Sequence, residues 1–188
     1  GQSIDDVISF LHSNHFLAAK LISGSFAEGF YKLSFEMDTY LVNNQKYSLP
    51  ELKNLFLKWQ GIKSGGYLIT EYLHTHSDLG KIWNRTPNTL RVMVIKETNE
   101  IARIASSFFR FGSTKTGVID NASVGGVSCS VDNDTGRFSN GSIIENHKLI
   151  SSQYHPDTHV LVEGQFPQWD LFRKVLFEIS EYLPQLKY

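Results

Sequence analysis

The chain has 188 residues, 41% of them hydrophobic and 20% charged, with a formal net charge of −1. That apolar content excludes a disordered chain and suffices for one globular domain or two small lobes sharing a core, while the balanced charge offers no global attraction to nucleic acid or an anionic membrane. No apolar run reaches the roughly 18 to 20 residues of a membrane span, and the single cysteine, Cys129, rules out an internal disulfide and fits a reducing, cytoplasmic setting.

The stretch "SIDDVISFLHSN" predicts an amphipathic helix. Ser3 stands at its N-cap, Asp5 and Asp6 fill the first turn, and Ile4, Val7, Ile8 and Leu11 recur at helical spacing. "HFLAAKLI", "FYKLSFEM" and "TYLVNN" read as strands, the last ending at a turn of Asn43, Asn44 and Gln45. "SLPELKNLFLKWQ" reads as a second helix, with Ser48 at the cap, Pro50 near the first turn and Leu52, Leu55, Phe56 and Trp59 on one face. "GIKSGGY" breaks it, and "YLITEYL" is a strand running toward a short helix, "SDLGKIW". "TLRVMVI" and "IARIASSFFRFG" pair about the turn "KETNE"; short strands and the turn "DNDTG" follow. "WDLFRKVLFEISEYL" closes the pattern as an amphipathic helix marked by Leu171, Val175, Leu176 and Ile179. This order predicts an α+β protein of two lobes, each an antiparallel sheet packed on helices, with a ligand cleft between them.

Three features carry chemistry on physical grounds. Lys20 lies in an apolar strand followed by a loop with Gly24, Ser25 and Gly29, an arrangement that suits phosphate oxygens and equally suits a hairpin beside a solvent-facing lysine. Arg91 and Arg110 sit among apolar strand residues, so each either snorkels outward or offers its planar fork to phosphate or carboxylate oxygens. In "GVIDNASVGG", Asp120 and Asn121 are able to ligate a cation or hold a substrate oxygen, while Gly125 and Gly126 permit close approach or a positive φ; an ordinary Asn/Gly turn accounts for the same residues. The seven histidines show no metal-ligand spacing and read as polar surface residues, and Trp59, Trp83 and Trp169 read as core or lobe-interface residues rather than sugar-stacking platforms.

Taken in order, Lys20 with its glycine loop, "YLITEYLHTHSDLGKIWNRTPNTLRVMVI", "FFRFG" with "GVIDNASVGGVSCSVDNDTG", and "YHPDTHVLVEGQFPQWD" resemble the ATP-grasp superfamily. The resemblance is to its sugar-transfer-associated branch, similar to RimK-type and glutathione-synthetase-like ligases, some of whose members are labelled hexapeptide transferase proteins. It implies a small lobe over 1–72, a large lobe over 73–188 and a nucleotide cleft between them. Lys20 then resembles the lysine on nucleotide phosphates, with Gly24, Ser25 and Gly29 in the covering loop, and Glu71, Tyr72 and Leu73 in the linker on adenine. Arg91 and Arg110 resemble the family's catalytic arginines, and Asp120, Asn121, Gly125, Gly126 and His155 the substrate side. Implied too are ATP, Mg2+, and a carboxylate–amine or related ligase working through an acyl phosphate in cell-surface polysaccharide assembly.

Two departures qualify the match. The family's metal ligands, a strand Asp and a late Glu-x-Asn, follow the last helix, and "YLPQLKY" closes the sequence there. The Mg2+ ligands are therefore expected outside this chain, which is expected to be inactive alone as a fragment truncated at both ends, or to be a non-catalytic nucleotide- or ligand-binding module. Phe26, Ala27 and Glu28 also put bulk and a negative charge where the loop is expected to meet phosphates.

Overall fold

The computed structural model describes residues 3–24, 27–62, 65–96 and 101–182. Ser25 and most of the "KETNE" turn lie outside these residues. The chain divides into two compact units, 1–74 and 75–188.

The first unit begins with α1 (Ile4–Asn14), whose capping box is local: the Ser3 hydroxyl accepts from Asp6 N and the Asp6 carboxylate accepts from Ser3 N. Then come β1 (Phe16–Leu21), β2 (Tyr31–Glu36), β3 (Thr39–Val42), β4 (Gln45–Tyr47), α2 (Leu49–Gln60) and β5 (Tyr67–Glu71). The Ser48–Glu51 pair repeats the same capping box at α2. The antiparallel sheet runs β4-β3-β2-β1-β5. The β2–β3 and β3–β4 hairpins close through Met37–Asp38 and Asn43–Asn44, all at positive φ, so Gln45 starts a strand rather than ending the turn. Period-two alternation sends Leu17, Ala19 and Leu33 into a core with Ile8 and Leu11 of α1 and Leu52, Phe56 and Trp59 of α2. The opposite face of the sheet, free of those helices, carries Phe16, Ala18, Lys20, Lys32 and Thr70.

The second unit contains α3 (Ser77–Gly80), β6 (Thr89–Ile95), β7 (Arg103–Phe111), β8 (Val127–Val131), β9 (Arg137–Glu145), β10 (Lys148–Ser151), β11 (Gly164–Gln165) and α4 (Trp169–Tyr182), with a 3-10 turn at Ala122–Val124. Its antiparallel sheet runs β10-β9-β8-β7-β6, and β11 pairs with β9. Phe109, Phe111, Val127, Cys129 and Phe138 point to one face and meet Leu79, Ile82, Trp83 and Trp169. Trp59, Trp83 and Trp169 are all buried, as their placement in the core requires.

Helix α4 departs from its sequence pattern. Leu171, Val175 and Ile179 are 56%, 45% and 55% exposed, while Trp169 is buried and rings with Phe166 and Phe172. The aromatic contacts, not the aliphatic stripe, decide which side of the helix faces the sheet.

Candidate functional site

In the first unit, β1 places Lys20 opposite Leu68 of β5, with its side chain exposed on the helix-free face. Ala18 separates it from Phe16 on that face, and Lys32 stands directly opposite Ala18 on β2. The Lys32 ammonium lies 4.9 Å from the Tyr72 ring centre and 5.3 Å from that of Phe16, a cation held against two aromatic rings. Tyr72 is 7% exposed, burial pushes its phenol up to about 12, and its hydroxyl has no hydrogen-bond partner among the described residues. A buried hydroxyl without a partner costs free energy unless a ligand or water meets it. Glu71 and Leu73 flank it and are exposed, Leu73 by 75%.

The connection from β1 to β2 holds Gly24 and Gly29. A Cβ at Gly24 would meet Leu21 Cβ at 2.9 Å and Glu28 O at 3.1 Å, so this glycine serves the loop's own packing. Ala27 takes φ 62°, a conformation usually left to glycine, and Glu28 is exposed.

In the second unit, the sheet face away from the core carries both arginines. Arg91 pairs with Phe108, Thr89 pairs with Arg110, and on β8 Ser130 and Ser128 continue these two rows. Arg91 is exposed, with its guanidinium 6.0 Å from the Phe108 ring centre. Arg110 is more confined: its Nε and Nη2 donate to Thr89 Oγ1 at 3.1 and 2.7 Å, and Nη2 lies 3.4 Å from Asp120 Oδ1. Asp120 Oδ2 accepts from Thr89 N at 2.9 Å and from Thr89 Oγ1 at 2.5 Å. Thr89, two residues before Arg91 and thus on its face, was missed in the sequence, as was Lys32; strand parity is the signal that finds both.

Beyond Asp120 the chain makes a short surface turn before Gly126 is buried again. Asn121 Oδ1 caps the 3-10 turn by accepting from Ser123 N and Oγ, and Gly125 ends that turn at φ 107°. Gly126 is packed against its own chain: a Cβ there would stand 2.8 Å from Asp120 O and 2.9 Å from Phe111 O. The close approach that it permits is to backbone.

His155 corrects the expectation that the histidines are surface groups. It is fully buried, stacked on Trp83 with ring centres 5.0 Å apart. Its Nε2 lies 2.8 Å from Gly112 O, while Nδ1 faces the N–H groups of Asp157 and Thr158 at 3.3 and 3.4 Å. Those partners require a neutral ring that donates through Nε2 and accepts at Nδ1. Burial pulls its pKa below the ordinary histidine value, against the opposing pull of the Gly112 carbonyl and Asp157. With both nitrogens engaged, the imidazole pins the "HPDT" loop to the end of β7, and Asp157 adds a second tie by accepting from Thr114 N at 2.8 Å.

The family model described as sugar-transfer associated ATP-grasp matches residues 17–188. The chain belongs to the sugar-transfer-associated ATP-grasp family. The α+β expectation, with two antiparallel sheets and few helices, holds with it. No curated protein and no solved structure matches the chain. Family membership implies a nucleotide, and the first unit offers charge and rings for one: Lys20 and Lys32 share with Phe16 a face that its helices leave open, and the Lys32 ammonium lies over the Phe16 and Tyr72 rings. Among the described residues no group of three or more His, Cys, Asp or Glu is placed to hold a metal. Nor is any helix among them long and apolar enough to cross a membrane.

Proposed function

We propose that the chain is the nucleotide-handling portion of an ATP-dependent carboxylate–amine or related ligase linked to cell-surface polysaccharide assembly. The observation that carries this reading is the second unit's polar sheet face, on which Arg91 and Arg110 stand in adjacent cross-strand rows within a chain of this family. ATP, when bound, supplies the phosphoryl group that activates a carboxylate as an acyl phosphate, which an amine then attacks. Lys20, exposed on its strand, meets nucleotide phosphate as a mobile point charge; Arg91 and Arg110 meet anionic oxygens with planar forks that neutralise charge as it shifts. The Tyr72 and Phe16 rings hold the Lys32 ammonium beside the nucleotide, and Glu71 and Leu73 offer exposed groups to the base. Asn121 retains its amide Nδ2 for a substrate oxygen, since Oδ1 is committed to the turn. Asp120, Gly125, Gly126 and His155 shape this region from within rather than by touching substrate.

The test is equilibrium binding of ATP and AMP to the full chain at two salt concentrations. Contacts to phosphate oxygens predict that ATP binds more tightly than AMP and loses affinity as salt rises. Equal affinity for the two, or binding of neither, overturns the reading. ADP release that requires a carboxylate, with the acyl group trapped by hydroxylamine, supports ligase chemistry; ATP binding with no such release points to a binding module.

A further inference from the structure

We infer that Thr89 and Asp120 are positioning residues that dictate which edge of the Arg110 guanidinium faces an anionic ligand, an inference that rests on the ligase reading above. A guanidinium has two forked edges, one formed by Nε with Nη2 and one by Nη1 with Nη2. Here Nε and Nη2 converge on one oxygen, Thr89 Oγ1, at 3.1 and 2.7 Å, so the side edge is filled from within the sheet. The end-on fork is what remains for a ligand: its Nη1 makes no hydrogen bond among the described residues, and its Nη2 stands 3.4 Å from Asp120 Oδ1.

Thr89 holds this arrangement because its own hydroxyl is oriented. Its single hydrogen goes to Asp120 Oδ2 at 2.5 Å, which turns the oxygen lone pairs toward Arg110. Asp120 is in turn fixed by the Thr89 backbone N–H at 2.9 Å and is 8% exposed, so water does not compete freely for it. The carboxylate also stands 3.4 Å from Nη2 and offsets part of the arginine's charge. The Thr89 hydroxyl and the Asp120 carboxylate thus convert a flexible side chain into a directed fork before any ligand arrives. Such preorganisation improves affinity by lowering the ordering cost of binding.

Thr89→Val tests this without altering net charge, because valine matches threonine in shape and lacks the oxygen. On the full chain, MgATP affinity is expected to fall about tenfold in Thr89→Val, the scale of one charge-assisted hydrogen bond. It should stay within about twofold in Thr89→Ser, which restores the hydroxyl. In an Arg110→Ala background, Thr89→Val should cause no further loss. A readout that needs no nucleotide is the Arg110 Nε–H resonance, expected to be protected from solvent exchange in the wild type and Thr89→Ser and unprotected in Thr89→Val. If Thr89→Val does not fold, Thr89→Ala takes its place with the same expectations. Unchanged affinity in the variant, an undiminished loss in the Arg110→Ala background, or an unprotected Nε–H in the wild type overturns the inference. A wild type that binds no MgATP but keeps the protected Nε–H overturns the ligand assignment while locating the failure in the ligase reading.

Discussion

Replacing His155 by alanine strikes the tie between the "HPDT" loop and the end of β7. The imidazole is fully buried, so its loss removes a donor from the Gly112 carbonyl and a stacking partner from Trp83. A buried carbonyl left without its partner costs about 1–3 kcal/mol, and an aromatic pair adds about 0.5–1.5 kcal/mol beyond area burial. The two nitrogens differ in consequence: Nδ1 accepts long contacts from Asp157 and Thr158, which water can replace once the loop loosens. A total of about 3 kcal/mol, at roughly 2–4 °C per kcal/mol for a chain of this length, lowers the melting temperature by roughly 6–12 °C. Scanning calorimetry on the full chain reads this directly. A melting temperature within about 2 °C of the wild type would refute a buried structural histidine, because only a solvated or ligand-facing imidazole is removed so cheaply.

The same histidine sets a pH dependence. Its folded-state pKa lies below the ordinary value of 6.5, so the unfolded chain binds the proton more readily; stability is full above about 6.5 and declines as pH falls through that value. The slope is at most about 1.4 kcal/mol per pH unit, and His155→Phe should flatten it between pH 6.5 and 5; denaturant midpoints across that window that do not change with pH count against it. The carboxylates of Asp6, Glu51 and Asp132 are lowered from 3.8, 4.5 and 3.8, so their contributions are lost only at lower pH. Gly126→Ala forces a methyl against the backbone oxygens of Asp120 and Phe111 and is expected to destabilise by about 1–3 kcal/mol in urea melts, whereas an unchanged midpoint contradicts the packing described. Cys129 is 3% exposed and burial raises its thiol to about 12, so a thiol reagent should label it only after unfolding; rapid labelling in native buffer argues against that burial.

What the sequence discloses here is what local chemistry decides. Both capping boxes are four-residue signals, and α1 and α2 begin where Ser3 and Ser48 predict. The Asn43–Asn44 turn is equally local, yet the three-residue β4 after it exists through pairing with β3 and has little apolar pattern of its own. Helix α4 was legible as a helix but not in its orientation, because Phe166 and Phe172 choose the face by contact with Trp169 rather than by period. The family was legible because its order of pieces survives along nearly the whole chain. Asp120 was legible as a polar residue near the arginines, but its partner Thr89 lies 31 positions away, and only the folded connection from β7 to β8 brings them together. His155 was misjudged for the same reason: Gly112, which holds its ring, is 43 positions away.

The central claim, that this chain holds nucleotide phosphate through Lys20, is tested most directly by thermal shift with MgATP on the wild type beside Lys20→Met. At 100 times its dissociation constant a ligand stabilises the folded chain by about 2.7 kcal/mol, or roughly 5–11 °C at this size. That shift is expected in the wild type and is expected to be lost in Lys20→Met, whose exposed side chain leaves the unliganded fold intact. An equal shift in both proteins, or none in the wild type, would contradict it.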